Sequence, residues 1–282
     1  MRGSAIIMAA TALTLVGCDR DAGGEPVIRD RVDGKSDIAA MPSPGVTGPS
    51  ATAQVESACR SIIFENTSLT HCLAIPARHT IRMVLGPAEG GPYRSLSAFA
   101  ADTDVARTAF AMNAGMFDDE GQPIGYFVSG SQRIQTLNTN EGSGNFHMKP
   151  NGVFYGSGGE WAIRTTEDFM TNVGDRPEFG TQSGPMLVID GRIHPEISTD
   201  GPSRLVRNAV GVDEQGRAHF VISNAPLSFG RMARFFRDEL RTANALYLDG
   251  SVSSLWNPAT SRLDTSAPLG PIVTVERREV GS

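Results

Sequence analysis

The 282-residue sequence has no run of basic residues and a formal net charge of -6. It therefore lacks the electrostatic footprint of a nucleic-acid-binding protein. It contains only three cysteines, Cys18, Cys59 and Cys72. No cysteine–histidine cluster has metal-ligand spacing, and His71 is the only further ligand type close to the later cysteines. The chain also lacks a phosphate-cradling P-loop, and Ser183 lacks the Gly-x-Ser-x-Gly spacing of a nucleophile elbow. No metal and no cofactor is indicated, and no internal repeat is visible.

The apolar run at residues 5–16 follows Arg2 and ends in Leu15-Val-Gly-Cys18. It is too short to cross a bilayer as a mature helix and has the layout of a processing segment. It resembles a bacterial lipoprotein signal with its lipobox at residues 15–18. That resemblance implies removal of residues 1–17 and lipidation of Cys18; an ordinary secretory signal cut nearby is the alternative. The expected location is the cell envelope, lipid-anchored and facing the periplasm. Asp19 resembles the inner-membrane retention signal of enteric bacteria, a rule that varies between bacteria, so inner versus outer membrane stays open. Residues 18–56 are rich in Gly, Pro, Ser, Ala and charge, with almost no large apolar side chains. Such a segment cannot bury enough surface to offset its ordering entropy and reads as a flexible tether, most linker-like over 41–49.

Residues 57–282 suffice for one domain with a sizeable core. Export makes a Cys59–Cys72 disulfide the natural pairing, contributing roughly 3 kcal/mol. The periodicity is mostly strand-like. Expected hairpins join 71–75 to 81–85, 124–128 to 133–137, 152–155 to 161–164 and 209–212 to 218–222, the last across Asp213-Glu-Gln-Gly216. Further strands are expected at 108–112, 186–189, 245–248 and 272–275. A short helix fits 96–101. A longer one starts after Ser228, with Phe229, Met232, Phe236 and Leu240 on one face and a solvated stripe of Arg231, Arg234, Arg237, Asp238 and Arg241 on the other. The expected class is α+β, a single domain around a largely antiparallel or mixed sheet with a few helices.

Three polar blocks stand where apolar runs stop: Asn113-Ala-Gly-Met-Phe117, Gln182-Ser-Gly-Pro185 and Asp249-Gly-Ser-Val-Ser-Ser254. A strand end is a rigid platform, and glycine lets a ligand approach the backbone. A carboxylate there is costly unless it is used or paired. Each block alone has an ordinary reading, Asp-Gly as a turn and Ser-Gly-Pro as loop punctuation. Together, from distant parts of one chain, they predict a shared polar pocket.

In order, the Asn113 block, Pro123 with Gly125, the Gln182 block, Arg207-Asn-Ala-Val-Gly211, an amphipathic helix and Leu248-Asp-Gly-x-x-Ser-Ser254 resemble the phosphodiester glycosidase domain family. The resemblance runs from about residue 80 to the C-terminus. Residues 145–154, Asn-Phe-His-Met-Lys-Pro-Asn-Gly-Val-Phe, resemble an uncharacterised bacterial branch of it. Two departures stand out: Ser251 and Val252 replace the family's usual second and third glycines, and Asn208 replaces a usual Thr or Ser.

The resemblance implies an enzyme, a glycosidase that hydrolyses a sugar–phosphate diester at the anomeric carbon. The transition state is oxocarbenium-like, so Asp249 is implied as nucleophile, base or electrostatic stabiliser. Arg207 would hold phosphate through its donor fork, with a structural ion pair as the alternative. Asn113 and Gln182 either bond the sugar and phosphate oxygens or brace their own loops. Ser183, Gly184, Gly250, Ser251 and Ser254 complete the implied binding set. From the closer branch come His147 as a general acid and Lys149 as a phosphate contact, against packing or surface roles. Asp118, Asp190, Glu141 and Glu196 compete as second carboxylate. Asp118-Asp-Glu120 lacks the spaced oxygen ligands of a calcium loop and reads as a solvated turn. The implied partner is a carbohydrate or glycan phosphodiester, and the membrane is reached through the lipid anchor. The alternative is a non-catalytic envelope protein that binds a carbohydrate or glycan phosphate in the same pocket. Changing Cys18→Ala is expected to release the protein from membranes or leave it unprocessed. Membrane fractionation and the mass of the N-terminal peptide check this.

Overall fold

The computed structural model describes residues 56–265 and 267–279; Cys18, the signal segment and all of the tether but residue 56 lie outside the described residues. In chain order the first strands are β1 (Cys59–Phe64), β2 (Thr67–Ala74), β3 (His79–Val84), β4 (Thr108–Asn113), β5 (Phe127–Ser129) and β6 (Gln132–Gln135). Next come β7 (Gly152–Ser157), β8 (Glu160–Thr165), β9 (Phe179–Ser183), β10 (Met186–Ile189) and β11 (Arg192–Ile193). The last are β12 (Asn208–Val212), β13 (Ala218–Ser223), β14 (Asn244–Tyr247), β15 (Leu255–Asn257), β16 (Arg262–Leu263) and β17 (Ile272–Arg277). The α-helices are α1 (Leu96–Ala101), α2 (Thr166–Asn172) and α3 (Phe229–Arg234).

The strands form three sheets, ordered β1-β2-β13-β12-β14-β10-β11, β16-β15-β4-β17-β3 and β6-β5-β9-β7-β8. Neighbours run antiparallel throughout. The α+β expectation holds, but the sheet is divided in three because one apolar centre is shared. Met83, Phe110, Phe127, Phe154, Phe220 and Leu246 reach it from all three sheets. Phe220 of β13 meets Phe110 of β4 and Phe154 of β7 edge-on, at centroid distances of 5.3 and 5.8 Å. Such edge-to-face pairs add about 0.5–1.5 kcal/mol each beyond area burial.

The expected hairpin between 71–75 and 81–85 does not form. β2 pairs with β1 and β13, whereas β3 pairs with β17 in another sheet. An earlier partner wins, because Glu65 and Asn66 both take positive φ, 43° and 60°, as a tight two-residue hairpin turn requires. The Cys59–Cys72 disulfide then ties β1 to β2 directly across the ladder. The hairpins β7–β8, β12–β13 and β5–β6 form as expected, and β1, β9, β11, β15 and β16 are additional.

Ser228 caps α3 by accepting from the Arg231 N–H. The regular helix ends sooner than its apolar spacing suggests and widens into a π turn over Phe235–Glu239. Phe235 and Phe236, adjacent in sequence, are both buried there against Leu69, Leu187 and Val221. The basic stripe is partly engaged: Arg231 and Arg234 both pair with Glu65 at the β1–β2 turn.

His71, His79, His194 and His219 are all buried. His219 Nε2 lies 3.0 Å from Asp213 Oδ2, and His71 Nε2 lies 3.0 Å from His219 Nδ1. Burial, with repulsion from His219, Arg60 and Arg217, pushes the His71 pKa down to about 3. Burial with Arg78 and Arg277 takes His79 down to about 4. The unfolded chain protonates these rings below about pH 6.5, while the native state does not. Stability is therefore complete above that pH and declines as pH falls, by about 1.4 kcal/mol per pH unit for each such histidine. The decline ends for each ring at its native value, about 4 for His79 and about 3 for His71. Urea midpoints measured from neutral to acid pH check this, and His71→Gln is expected to give a shallower decline.

Candidate active site

The three polar blocks do converge. Asn113 ends β4, and its amide laces together strand ends from two sheets. Its Nδ2 donates to the Asp249 carbonyl at 2.7 Å, and its Oδ1 accepts from the Ser254 N–H at 2.9 Å. Asn113 thus grips both ends of the 249–254 loop. Asn208, at the start of β12, donates through Nδ2 to the Asn113 carbonyl and to Oδ1, both at 3.0 Å. Its own Oδ1 accepts from Ser253 Oγ at 3.1 Å. The Asp249 N–H donates to the Ala114 carbonyl at 3.1 Å. Asn113, Asn208 and Ser254 are essentially sealed from solvent.

Asp249 follows β14 and is 9% exposed. Its Oδ1 accepts from the Ser251 N–H at 3.0 Å and from Ser251 Oγ. No hydrogen bond from the described residues reaches Oδ2, which is not sealed from solvent. Among the described residues no arginine, lysine or histidine pairs with this carboxylate within 4 Å. Val252, the other departure from glycine, packs against the apolar cluster of Leu96, Phe99 and Trp256.

Arg207 is completely buried. Its Nε donates to the Leu227 carbonyl at 3.0 Å, its Nη1 to Tyr247 Oη at 2.9 Å and its Nη2 to Ser203 Oγ at 2.9 Å. Its Cζ lies 3.7 Å from the Phe229 ring centroid. No carboxylate of the described residues pairs with it. Burial raises the pKa of the Tyr247 phenol, opposed by the Arg207 charge and by the facing Gly250 N–H. Gly250 has to be glycine: a Cβ there would stand 1.7 Å from Tyr247 Oη. Arg207, Tyr247 and Gly250 thus form a chain of contacts that ends beside Asp249.

Gln182, in β9, is equally enclosed. Its Oε1 accepts from the Tyr126 and Asn138 N–H groups, both at 2.9 Å, and its Nε2 donates to the Asn138 carbonyl and Thr166 Oγ1 at 2.8 and 3.0 Å. Gly115 joins this block to the first. Its N–H donates to Thr181 Oγ1 at 3.1 Å, and a Cβ would stand 2.3 Å from the Gln182 carbonyl. Thr166 and Asn151 line a cavity of about 630 Å³ together with Lys149, Thr139 and Met170. Gly184 packs on Asn151, and the Pro185 carbonyl accepts the Tyr247 N–H at 3.1 Å. The cavity wall at Asn151 is thus linked through Gly184 and Pro185 to β14, the strand that leads to Asp249.

Asn113 and Gln182 were read as either substrate contacts or loop braces, and Arg207 as a phosphate contact or a structural ion pair; in the structure their polar atoms are taken up by the protein itself. Where three strand ends meet, backbone N–H and C=O groups are stranded without ladder partners, and these side chains satisfy them. For Asn113 and Gln182 the bracing alternative describes the bonds observed. For Arg207 neither a phosphate fork nor an ion pair does. Ser254 closes the loop, its Oγ donating to the Val252 carbonyl at 2.8 Å. Ser183 is buried with no partner for its Oγ among the described residues. Lys149 pairs with Glu141, and His147 Nδ1 lies 3.1 Å from the Asn140 carbonyl, so both belong to the loop bordering the cavity. Neither they nor Asp118, Asp190 and Glu196 are bonded to the Asp249 frame among the described residues. Sequence reading overlooked Tyr247, which looks like one more apolar strand residue, and the positions of Asn151, Thr166 and His194. His194 is buried against the Lys149 backbone.

Asn113→Ala would strand the Ser254 N–H and the Asn208 amide in the interior. It is expected to lower stability by about 2–4 kcal/mol, read as a shifted urea midpoint. An unchanged midpoint with lost ligand binding would return Asn113 to the substrate.

A phosphodiester glycosidase family model matches residues 106–273. The chain is 31% identical over 204 residues to Uncharacterized protein YigE of Escherichia coli (strain K12), spanning 72% of this chain and 80% of that protein. It is also similar to the solved catalytic domain of zebrafish N-acetylglucosamine-1-phosphodiester alpha-N-acetylglucosaminidase, auto-inhibited by its pro-peptide. There the TM-score is 0.53 at 15% identity, covering 78% of this chain and 82% of that one, a likeness of fold. The blocks that converge on Asp249 thus lie within the stretch the family model matches, and the chain belongs to the phosphodiester glycosidase family.

Proposed function

We propose that this protein hydrolyses a glycosyl phosphodiester at the anomeric bond, in the bacterial envelope, tethered through lipid on Cys18. The observation that carries the reading is Asp249: a carboxylate 9% exposed, with no cationic partner among the described residues, on a loop laced at both ends. A carboxylate held in place without a cationic partner is available to meet positive charge at some stage of its work. An oxocarbenium-like transition state supplies that charge at the anomeric carbon. Ser251 fixes the rotamer by holding Oδ1, which leaves Oδ2 to face the sugar.

The frame does the positioning. Asn113 and Asn208 hold the loop backbone, and Arg207 acts through Tyr247 and Gly250 and stays clear of the phosphate. The cavity beside Lys149 and Thr166 is the place for the sugar phosphate, with the exposed Lys149 ammonium as its phosphate contact. His147, on the bordering loop, is the group available to protonate the leaving oxygen.

The second reading, a non-catalytic binder of a carbohydrate or glycan phosphate, is favoured by one feature. Ser251 occupies a carboxylate oxygen where the family usually has glycine. Turnover of a chromogenic sugar phosphodiester separates the two. Asp249→Asn is expected to lower kcat by roughly 10²–10⁴-fold with the urea midpoint unchanged. Reaction in ¹⁸O-water is expected to place the label in the sugar; label in the phosphate would mean P–O cleavage instead. Binding without turnover would leave the binding-protein reading.

A further inference from the structure

A cavity of about 860 Å³ opens between the start of β1, the loop from β2 to β3 and the end of β17. No step proposed for Asp249 uses it. Arg60, Arg78, Arg217, Arg277 and Arg278 line it, against the carboxylates of Glu56 and Glu279. Glu279 pairs with Arg107, outside the lining, and Arg217 pairs with Asp213. Arg60, Arg78, Arg277 and Arg278 pair with no carboxylate among the described residues. Surface arginines usually find a counter-charge or spread apart, because gathered like charges repel.

Two enclosed nitrogen atoms make this more than a basic patch. Arg277 donates through Nη1 to the Thr108 carbonyl at 2.7 Å, while its Nη2 is buried without a partner among the described residues. Burial with no compensating anion holds its pKa below the usual arginine range. His71, 4% exposed, lines the same cavity, and its Nδ1 is likewise buried without a partner. The Asp213 carboxylate behind it, held charged by bonds from His219 and Arg217 against the cost of burial, accepts from His219 Nε2. His219 Nδ1 then accepts from His71 Nε2. This order of protons leaves His71 Nδ1 as an acceptor, matched to the hydroxyl of a singly protonated oxyanion. The surrounding guanidinium forks match its charged oxygens.

We propose that this cavity is a second, non-catalytic site that binds a phosphate-class oxyanion, carried either by a free phosphate monoester or by an anionic lipid headgroup. The inference does not rest on the glycosidase reading. Arg60, Arg78 and Arg278 supply charge from the rim, and Arg277 and His71 supply the enclosed contacts. Its test uses the full chain with Cys18→Ala, so that no attached lipid contributes. Inorganic phosphate, titrated by calorimetry, is expected to bind and to raise Tm. The combined change Arg60→Gln, Arg78→Gln and Arg278→Gln is expected to weaken that binding tenfold or more, while Asp249→Asn leaves it unchanged. His71→Asn, a single change, provides a second variant and is expected to weaken phosphate without altering the rim. Flotation with phosphatidic acid and phosphatidylcholine vesicles distinguishes the sources, since the monoester headgroup of phosphatidic acid keeps a protonated oxygen. Retention on phosphatidic acid alone, lost in the glutamine variant, assigns the lipid headgroup; phosphate binding without retention assigns the free monoester. Phosphate binding that survives the glutamine changes at full affinity and stoichiometry overturns the proposal. So does the absence of both phosphate binding and vesicle retention.

Discussion

The buried amide of Asn113 is the contact on which the rest of the site depends. Strand ends are where ladder hydrogen bonds run out, and here ends from different sheets meet inside the protein. One side chain accepts from the Ser254 N–H, donates to the Asp249 carbonyl and receives the Asn208 amide. Each of these groups would cost about 1–3 kcal/mol if left buried and unpaired. Without the amide the sheets still share the Phe220-centred apolar core, but the 249–254 loop has no fixed place on it.

A second constraint is electrostatic. Arg207 is a buried cation held by neutral acceptors and by the face of Phe229, with no carboxylate paired to it among the described residues. Asp249 is a nearly buried carboxylate with no paired cation among the described residues. Tyr247 and Gly250 stand between them. The separation matters, because a direct Arg207–Asp249 pair would quench the carboxylate in a low-dielectric surrounding and leave little charge for an incoming ligand. Keeping the two side chains apart leaves the Asp249 carboxylate oxygen Oδ2 without a cationic partner among the described residues. The family's departures fit the same picture: Gly250 is retained under Tyr247, whereas Ser251 and Val252 find room outside that contact.

Charge is segregated between two places in the domain. One holds the unpaired Asp249 carboxylate, and the other gathers arginines around an Asp213–His219–His71 chain. Each leaves polar atoms without a hydrogen-bond partner among the described residues, Oδ2 of Asp249 at the first and the buried His71 Nδ1 and Arg277 Nη2 at the second. The net charge of -6 conceals this, since it averages over both. Membership in the phosphodiester glycosidase family bears on the first place, and the second follows from geometry alone.

Much of the molecule was readable from its residues. The alternation of apolar residues located most of the strands, turn residues located three of the hairpins, and the three polar blocks marked ends that do meet. Expected export, with Cys59 and Cys72 left to pair, pointed to the disulfide that closes β1 on β2. What the residues could not decide was pairing at a distance. Strand-like periodicity does not say which sheet a strand joins, so β2 and β3 looked like a hairpin although positive φ at Glu65 and Asn66 gave β2 another partner. Nor does residue type say where a polar side chain points. Asn113, Gln182 and Arg207 were recognisable as important, but only the packed structure turns them inward, because backbone groups stranded at the junction of three sheets claim their hydrogen bonds before any ligand arrives.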